Sequence, residues 1–258
     1  MRVPLHLVQE RRQRLAELLE THSYLPVQEV CRRLEISEAT ARRDLVALEK
    51  EQRIIRTFGG ALSDFNRRFA SFHERLGRDE TGKERIAVAA RALIQPGMTC
   101  FFDTGTTVYA LAECLAAAPN GPFRVVTNSL PVAEKLGGVP GLTLFLLGGE
   151  YLPRQSALMG AKARRALSLH TLDLAFFSAE GGDAAGVWNS QQDIVEFQRA
   201  LVLRSERHAL CLDRSKLGHP ASNFLLPWGE VGLLISDVRP DDLHGIGIHL
   251  PPDQFLQA

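Results

Sequence analysis

The sequence predicts an α/β protein in two unequal parts, a small helical N-terminal segment and a larger segment built on a mainly parallel sheet. Three observations carry this. Before residue 62 the chain is Arg-rich with short-period helical patterning and little glycine until Gly59-Gly60. From Thr99 onward, apolar runs of strand length alternate with helical patterns, as βαβ units do. Finally, 258 residues of which 45% are hydrophobic and 23% charged supply a core and exclude disorder as the main state. The expected division is residues 1–62, a linker over 63–85, and residues 86–258.

In the first segment, Leu15, Leu18 and Leu19 form the apolar stripe of one helix, and Val30, Cys31 and Leu34 that of a second. A third helix starts in Ile36-Ser37-Glu38-Ala39-Thr40-Ala41. There Ser37 caps the free amides and Ile36 packs over Ala41 as a staple. Ala41, Leu45 and Leu48 make its buried stripe, leaving Thr40, Arg42 and Arg43 beside or opposite it at the helix start. Two helices joined by a three-residue turn, the second bearing polar and basic residues in its first turns, make a helix-turn-helix. The run Arg53-Ile54-Ile55-Arg56-Thr57-Phe58-Gly59-Gly60-Ala61 reads as a β wing, with Ile54 or Ile55 inward and Arg56 toward a phosphate or the minor groove. The candidate DNA-contacting residues are Ser37, Glu38, Thr40, Arg42, Arg43, Arg53, Arg56, Gly59 and Gly60. A plainer alternative stands beside this: Glu38 precedes Arg42 by four residues and pairs with it along the helix, in a bundle that only self-associates.

Residues 63–85 are charged and poor in aliphatics, interrupted by Phe65, Phe69 and Phe72, which suits a linker that docks. Beyond it, strands are expected at 99–103, 124–128, 143–149, 172–179, 208–213 and 231–237, with helices near 107–117, 130–137, 160–169 and 193–205. Phe101-Phe102-Asp103-Thr104-Gly105-Thr106-Thr107 is a buried strand running through a glycine turn into a helix, whose N-terminal amides suit a phosphate. Glycine is needed in such a turn anyway, so this signal alone is weak. It recurs, however: Thr127-Asn128-Ser129, Gly148-Gly149-Glu150, Ala179-Glu180-Gly181-Gly182 and Asp213-Arg214-Ser215-Lys216 each follow an apolar run. In an open, Rossmann-like parallel sheet these ends lie along one edge, where ligands bind. In that crevice Asp103 and Glu180 suit sugar hydroxyls, Thr106, Thr107 and Ser129 suit phosphate, and Lys216 neutralises it. Thr104, Gly105, Thr127, Asn128, Gly148 and Gly149 complete the candidate set.

Ser37-Glu38-Ala39-Thr40-Ala41-Arg42-Arg43-Asp44-Leu45 and the wing ending Phe58-Gly59-Gly60-Ala61 resemble the winged helix-turn-helix of DeoR-family bacterial transcriptional regulators. Ala41 replaces the family's usual branched residue and Phe58 its usual histidine. The order D-T-G-T-T, T-N-S, G-G, A-E-G, D-R-S-K, with Phe72-His73-Glu74-Arg75 and Lys83-Glu84-Arg85-Ile86-Ala87 upstream, resembles the same family's effector domain from Lys83 through Asp237. That domain is similar to ribose-5-phosphate isomerase. The resemblance implies a repressor of carbohydrate genes whose affinity for double-stranded operator DNA changes when a phosphorylated sugar or related metabolite binds. Glu180 stands where the family usually has Asp, and Gln198 where it often has Lys, so the ligand is left open. Two alternatives remain: an isomerase with Asp103 or Glu180 as base and Lys216 stabilising an enediolate, and a structural oligomer.

Taken over the whole chain, the 30 Lys+Arg balance the 30 Asp+Glu, which argues against a nucleic-acid partner. By segment, residues 1–62 hold 11 basic against 9 acidic groups, residues 63–85 hold 6 against 5, and the rest 13 against 16. The mild excess makes specific binding depend on homo-oligomerisation, as a dimer or tetramer, and on the Arg42, Arg43, Arg53, Arg56 cluster. No run suits a secretory signal or a bilayer span, so a cytoplasmic protein without membrane contact is expected. Cys31, Cys100, Cys114 and Cys211 are widely spaced, which suits reduced core fillers, and no metal or cofactor is expected.

Overall fold

Helix α1 (Leu5–His22) buries Leu15, Ala16 and Leu19 against Val27 and Val30 of α2 (Val27–Leu34) and against Ala41, Leu45 and Leu48 of α3 (Glu38–Lys50). The periodicity of three and four therefore closes a core of its own within the first of two units, residues 1–70 and 71–258. The computed structural model describes residues 5–22, 24–51, 54–56, 60–63, 70–119 and 121–258. Strand β1 (Tyr24–Pro26), which the sequence pattern did not announce, joins β2 (Ile54–Arg56) and β3 (Gly60–Ser63) in an antiparallel sheet of order β1-β3-β2. Of the two isoleucines expected to compete for the core, Ile54 is buried.

The turn between α2 and α3 is three residues long, as the sequence predicts. Glu35 takes a left-handed conformation (φ 54°) and ends α2, while Ile36 packs against the core. Ser37 caps α3 by accepting the Thr40 N–H at 3.3 Å. Phe58, with Phe65 and Phe69, lies outside the described residues.

The second unit starts at Ser71, so part of the expected linker is built into it. Ser71 and Glu74 form a capping box at helix α4 (Phe72–Leu76), and Phe72 is buried with its ring edge-on to Tyr109. Asp79 caps the next helix, α5 (Glu80–Arg91). Then follow β4 (Thr99–Phe102), α6 (Thr106–Ala117), β5 (Phe123–Thr127), α7 (Leu130–Leu136), β6 (Leu142–Leu146), the hairpin β7 (Glu150–Leu152) and β8 (Ala157–Met159), α8 (Gly160–Leu167) and β9 (Leu172–Phe177). The chain continues through β10 (Gly181–Asp183), β11 (Gly186–Asn189), α9 (Gln192–Arg204), β12 (Ser205–Cys211), β13 (Asn223–Leu226), β14 (Leu233–Ser236), α10 (Pro240–Gly245) and β15 (Phe255–Gln257).

Seven of these strands form one parallel sheet, in the order β15-β14-β12-β9-β4-β5-β6. Counted along the chain this is 7-6-5-4-1-2-3, the doubly wound arrangement whose direction reverses between β4 and β9. Consecutive residues alternate between two cores. Phe101, Val126 and Phe177 face α8 and α9, while Phe102, Val125 and Phe176 face α5, α6 and α7. Both faces are therefore covered, which is why these strands read as continuous apolar runs. Strands β10, β11 and β13 form a separate antiparallel sheet.

All four cysteines are free, and burial pushes the Cys100 and Cys211 thiols up to about 12, consistent with inert core packing. No helix among the described residues is long and apolar enough to cross a membrane.

Candidate functional site

On α3, Arg42 and Arg43 are exposed while Asp44, between them and Leu45, is fully buried. Arg42 donates to Glu38 at 3.0 Å through Nε and 2.5 Å through Nη2, the intrahelical pair the spacing allows. Arg43 makes no ion pair among the described residues. Thr40 is half-buried and its hydroxyl lies 2.9 Å from that of Ser37. Asp44 accepts from Arg11 Nε at 2.6 Å and from Arg12 Nε at 3.0 Å, tying α3 to α1. Sequence reasoning passed over this residue, since nothing local marks a carboxylate as buried. Arg53 and Gly59 lie outside the described residues. Arg56 and Gly60 are placed by their backbone, at the end of β2 and the start of β3.

In the second unit the placement of the candidate residues follows from strand order. The reversal puts the loops after β4 and β9 side by side, with that after β12 next to β9. Gly105 links β4 to α6 at φ +132°, a conformation L side chains rarely adopt, and a Cβ there would also overlap the Ser178 hydroxyl after β9, which would have to turn away. Two cavities open at this point. The larger, about 440 Å³, is lined by Arg75, Arg78, Lys83, Thr106, Glu180 and Lys216, with Asp79, Asp213 and Ser215. The smaller, about 20 Å³, is lined by Thr104, Gly105, Gln155, Asn189, Ser190 and Gln198 among others. Small-molecule sites run from about 300 Å³ upward, whereas about 15 Å³ admits one water. The first has the volume of a small-molecule site; the second, as it stands, does not. Arg75 and Glu180 line both.

Four cations meet at the larger cavity. Arg75 Nη1 donates to Glu180 Oε1 at 2.7 Å, and Lys216 Nζ to Glu180 Oε2 at 3.3 Å. Lys83 is buried, and its ammonium donates to the carbonyls of Arg75 (2.7 Å) and Leu76 (3.2 Å), fixing the end of α4. Burial lowers the Lys83 pKa; Asp213 opposes this, and Lys216 and Arg75 reinforce it.

Beneath the smaller cavity lies Asp103, with no exposed surface. It accepts from Gln198 Nε2 at 2.7 Å and from Asn128 Nδ2 at 3.1 Å, and Gln198 in turn accepts from Asn189 at 2.9 Å. Burial raises the Asp103 carboxyl to about 6, against the opposing pull of the Gln198, Thr104 and Asn128 hydrogen bonds. The folded pKa thus exceeds the unfolded one. Between about pH 4 and pH 6 the folded chain keeps a proton the unfolded chain has released, so stability falls as pH rises through that window. The expected contribution is on the order of 3 kcal/mol. Asp103→Asn removes it, and also sets an amide donor against Gln198 or Asn128. Melting the wild type and the variant from pH 4 to 8 should give converging differences; parallel curves would rule the assignment out.

Of the predicted crevice residues, the structure brings Thr104, Gly105, Thr106, Glu180 and Lys216 to the two cavities, with Asp103 below. Thr107, Thr127, Asn128, Ser129, Gly148 and Gly149 line neither. Thr127 Oγ1 donates to the Phe102 carbonyl at 2.6 Å, and Ser129 caps α7. A Cβ on Gly149 would come 2.6 Å from the Met159 carbonyl, so that glycine serves packing against β8. Arg75, Arg78, Lys83, Gln155, Ser178, Asn189 and Ser190 were missed as site residues. Arg75 and Lys83 belong to the motifs Phe72-His73-Glu74-Arg75 and Lys83-Glu84-Arg85-Ile86-Ala87, the local signal for them.

A family model described as the DeoR C terminal sensor domain matches residues 78–238, and one described as the DeoR-like helix-turn-helix domain matches residues 11–67. The chain is 31% identical to the HTH-type transcriptional repressor GlcR of Bacillus subtilis, over 90% of this chain and 90% of that protein. It is also 31% identical to the glycerol-3-phosphate regulon repressor of Escherichia coli, over 87% of this chain and 88% of that one. Ribose 5-phosphate isomerase A from Methanocaldococcus jannaschii aligns with a TM-score of 0.39 and 15% identity, over 52% of this chain and 53% of its own.

Proposed function

Because this chain belongs to the DeoR family of transcriptional regulators, we propose that it represses carbohydrate-related genes and that a phosphorylated sugar or related metabolite, bound in the larger cavity, relieves the repression. It is a regulator, and the isomerase reading of the crevice is dropped. The observation that carries the effector reading is the convergence of Arg75, Arg78, Lys83 and Lys216 on a 440 Å³ cavity at the sheet's reversal point. The polar groups lining the small cleft, Gln155, Asn189, Ser190 and Gln198, suit hydroxyls if that cleft widens. The relatives include one named for glycerol-3-phosphate, in keeping with a phosphomonoester. A half-site reader gains specificity as a homo-oligomer whose recognition helices lie about 34 Å, or a multiple, apart. The cytoplasm, where DNA and phosphorylated metabolites meet, is its expected location.

A thermal-shift panel of sugar phosphates, followed by operator binding with each hit on the protein's own upstream region, tests the effector reading. Failure of every phosphorylated compound to stabilise the protein would remove it. On the DNA side, Arg43→Ala should weaken operator binding about 10–100-fold, the worth of one good base or phosphate contact. Arg42→Ala should cost less, because Arg42 must first leave Glu38. Fluorescence anisotropy at several salt concentrations reads both; equal wild-type affinity in the two variants refutes the assignment of α3.

A further inference from the structure

The larger cavity contains three acids, and two of them have local duties. Asp79 caps α5 through the Gly82 N–H at 3.3 Å, and Asp213 accepts from the backbone N–H and hydroxyl of Ser215. Glu180 differs: its two oxygens lie on Arg75 and Lys216, the cations an incoming anion needs. Its side chain and those two cations are 15–23% exposed, so the pair is partly withdrawn from water without being sealed. Glu180 and Arg75 also line both the 440 Å³ cavity and the 20 Å³ cleft, placing their ion pair between the open space and the polar groups over Asp103.

We propose that Glu180 is a tethered stand-in for the effector's anionic group, whose carboxylate must leave Arg75 and Lys216 before the effector binds and the inner cleft opens. The proposal rests on the phosphorylated-effector reading above and adds to it a displacement cost that every ligand must meet. A ligand displaces Glu180 only by offering the two cations more than a carboxylate does. A phosphomonoester carries a charge of about −1.5 to −2 near pH 7 and three acceptor oxygens, and meets that condition. A monoanionic carboxylate does not. The apparent affinity is also reduced by the fraction of molecules in which Glu180 has moved away, so removing its charge raises affinity by the inverse of that fraction.

The test uses the full-length protein, inorganic phosphate and acetate as probes, and isothermal titration calorimetry. Glu180→Gln keeps the side chain's size and removes its charge. It should bind phosphate at least tenfold tighter than wild type and acetate tighter by the same factor, because both anions must displace the same carboxylate. Glu180→Asp, whose shorter arm spans the two cations less well, should gain affinity in the same direction but less, and serves if the first variant does not fold. Wild type binding phosphate while both variants bind it equally or more weakly overturns the stand-in role and leaves the phosphate site intact. No phosphate binding by wild type or either variant at millimolar concentration overturns the effector reading and this proposal with it.

Discussion

Asp44→Ala is expected to weaken operator binding strongly, although this carboxylate is buried. Its two oxygens hold Arg11 and Arg12, and a hydrogen bond to a charged group is worth about 1.5–3 kcal/mol. Some of the loss is recovered because an isolated charge no longer has to be buried and because the two arginines are partly exposed, which leaves a net cost of about 2–4 kcal/mol. A unit of this size has about 3–9 kcal/mol of stability in all. Calorimetry should therefore show the melting of the DNA-binding unit falling by about 8–30 °C, at about 4–8 °C per kcal/mol, with the larger unit unmoved. The contrast with Arg43→Ala is the informative part: that variant should lose DNA and keep its melting temperature. Wild-type operator affinity in Asp44→Ala would show that α1 and α3 are held together by their apolar contacts alone.

The second large effect is expected at Lys216. Lys216→Gln should weaken the binding of any sugar phosphate that stabilises the wild type by about 10–100-fold, the loss of one charge-assisted contact. The concentration needed to alter operator affinity should rise by the same factor, because ligand and DNA are linked through one pair of states. Operator affinity without ligand should stay as it was. Fold stability should hardly change, since a partly exposed pair with Glu180 contributes about 0–1 kcal/mol. Calorimetric titration alongside operator anisotropy reads both quantities. An unchanged ligand requirement would place the phosphate elsewhere and remove Lys216 from the site.

Much of the local structure was legible in the chain. The stripe Ala41, Leu45, Leu48 and the cap Ser37 announce α3 because helix periodicity and capping act across three or four residues. The six expected strands of the large sheet are present for a similar reason, their apolar runs being long enough to be buried on both faces. The strands missed were β1, β7, β8, β10, β11, β13 and β15. These are three or four residues long, and several draw their place from a partner far along the chain, as β11 does from β13.

At the site the sequence determined the chemistry available: acids, hydroxyls, glycines and one lysine at strand ends, after a helix-turn-helix of recognisable spacing. Which strand ends meet was decided by tertiary structure. The reversal between β4 and β9 brings Thr104, Gly105 and Glu180 together with Lys216 and leaves Thr127, Ser129 and Gly149 as supports. Likewise Arg75 reaches Glu180 across 105 residues and Gln198 reaches Asp103 across 95. Propensities, caps and turns are written in neighbouring residues. Strand order and buried ion pairs are settled by how the whole chain buries its apolar surface, and no window of sequence contains that sum.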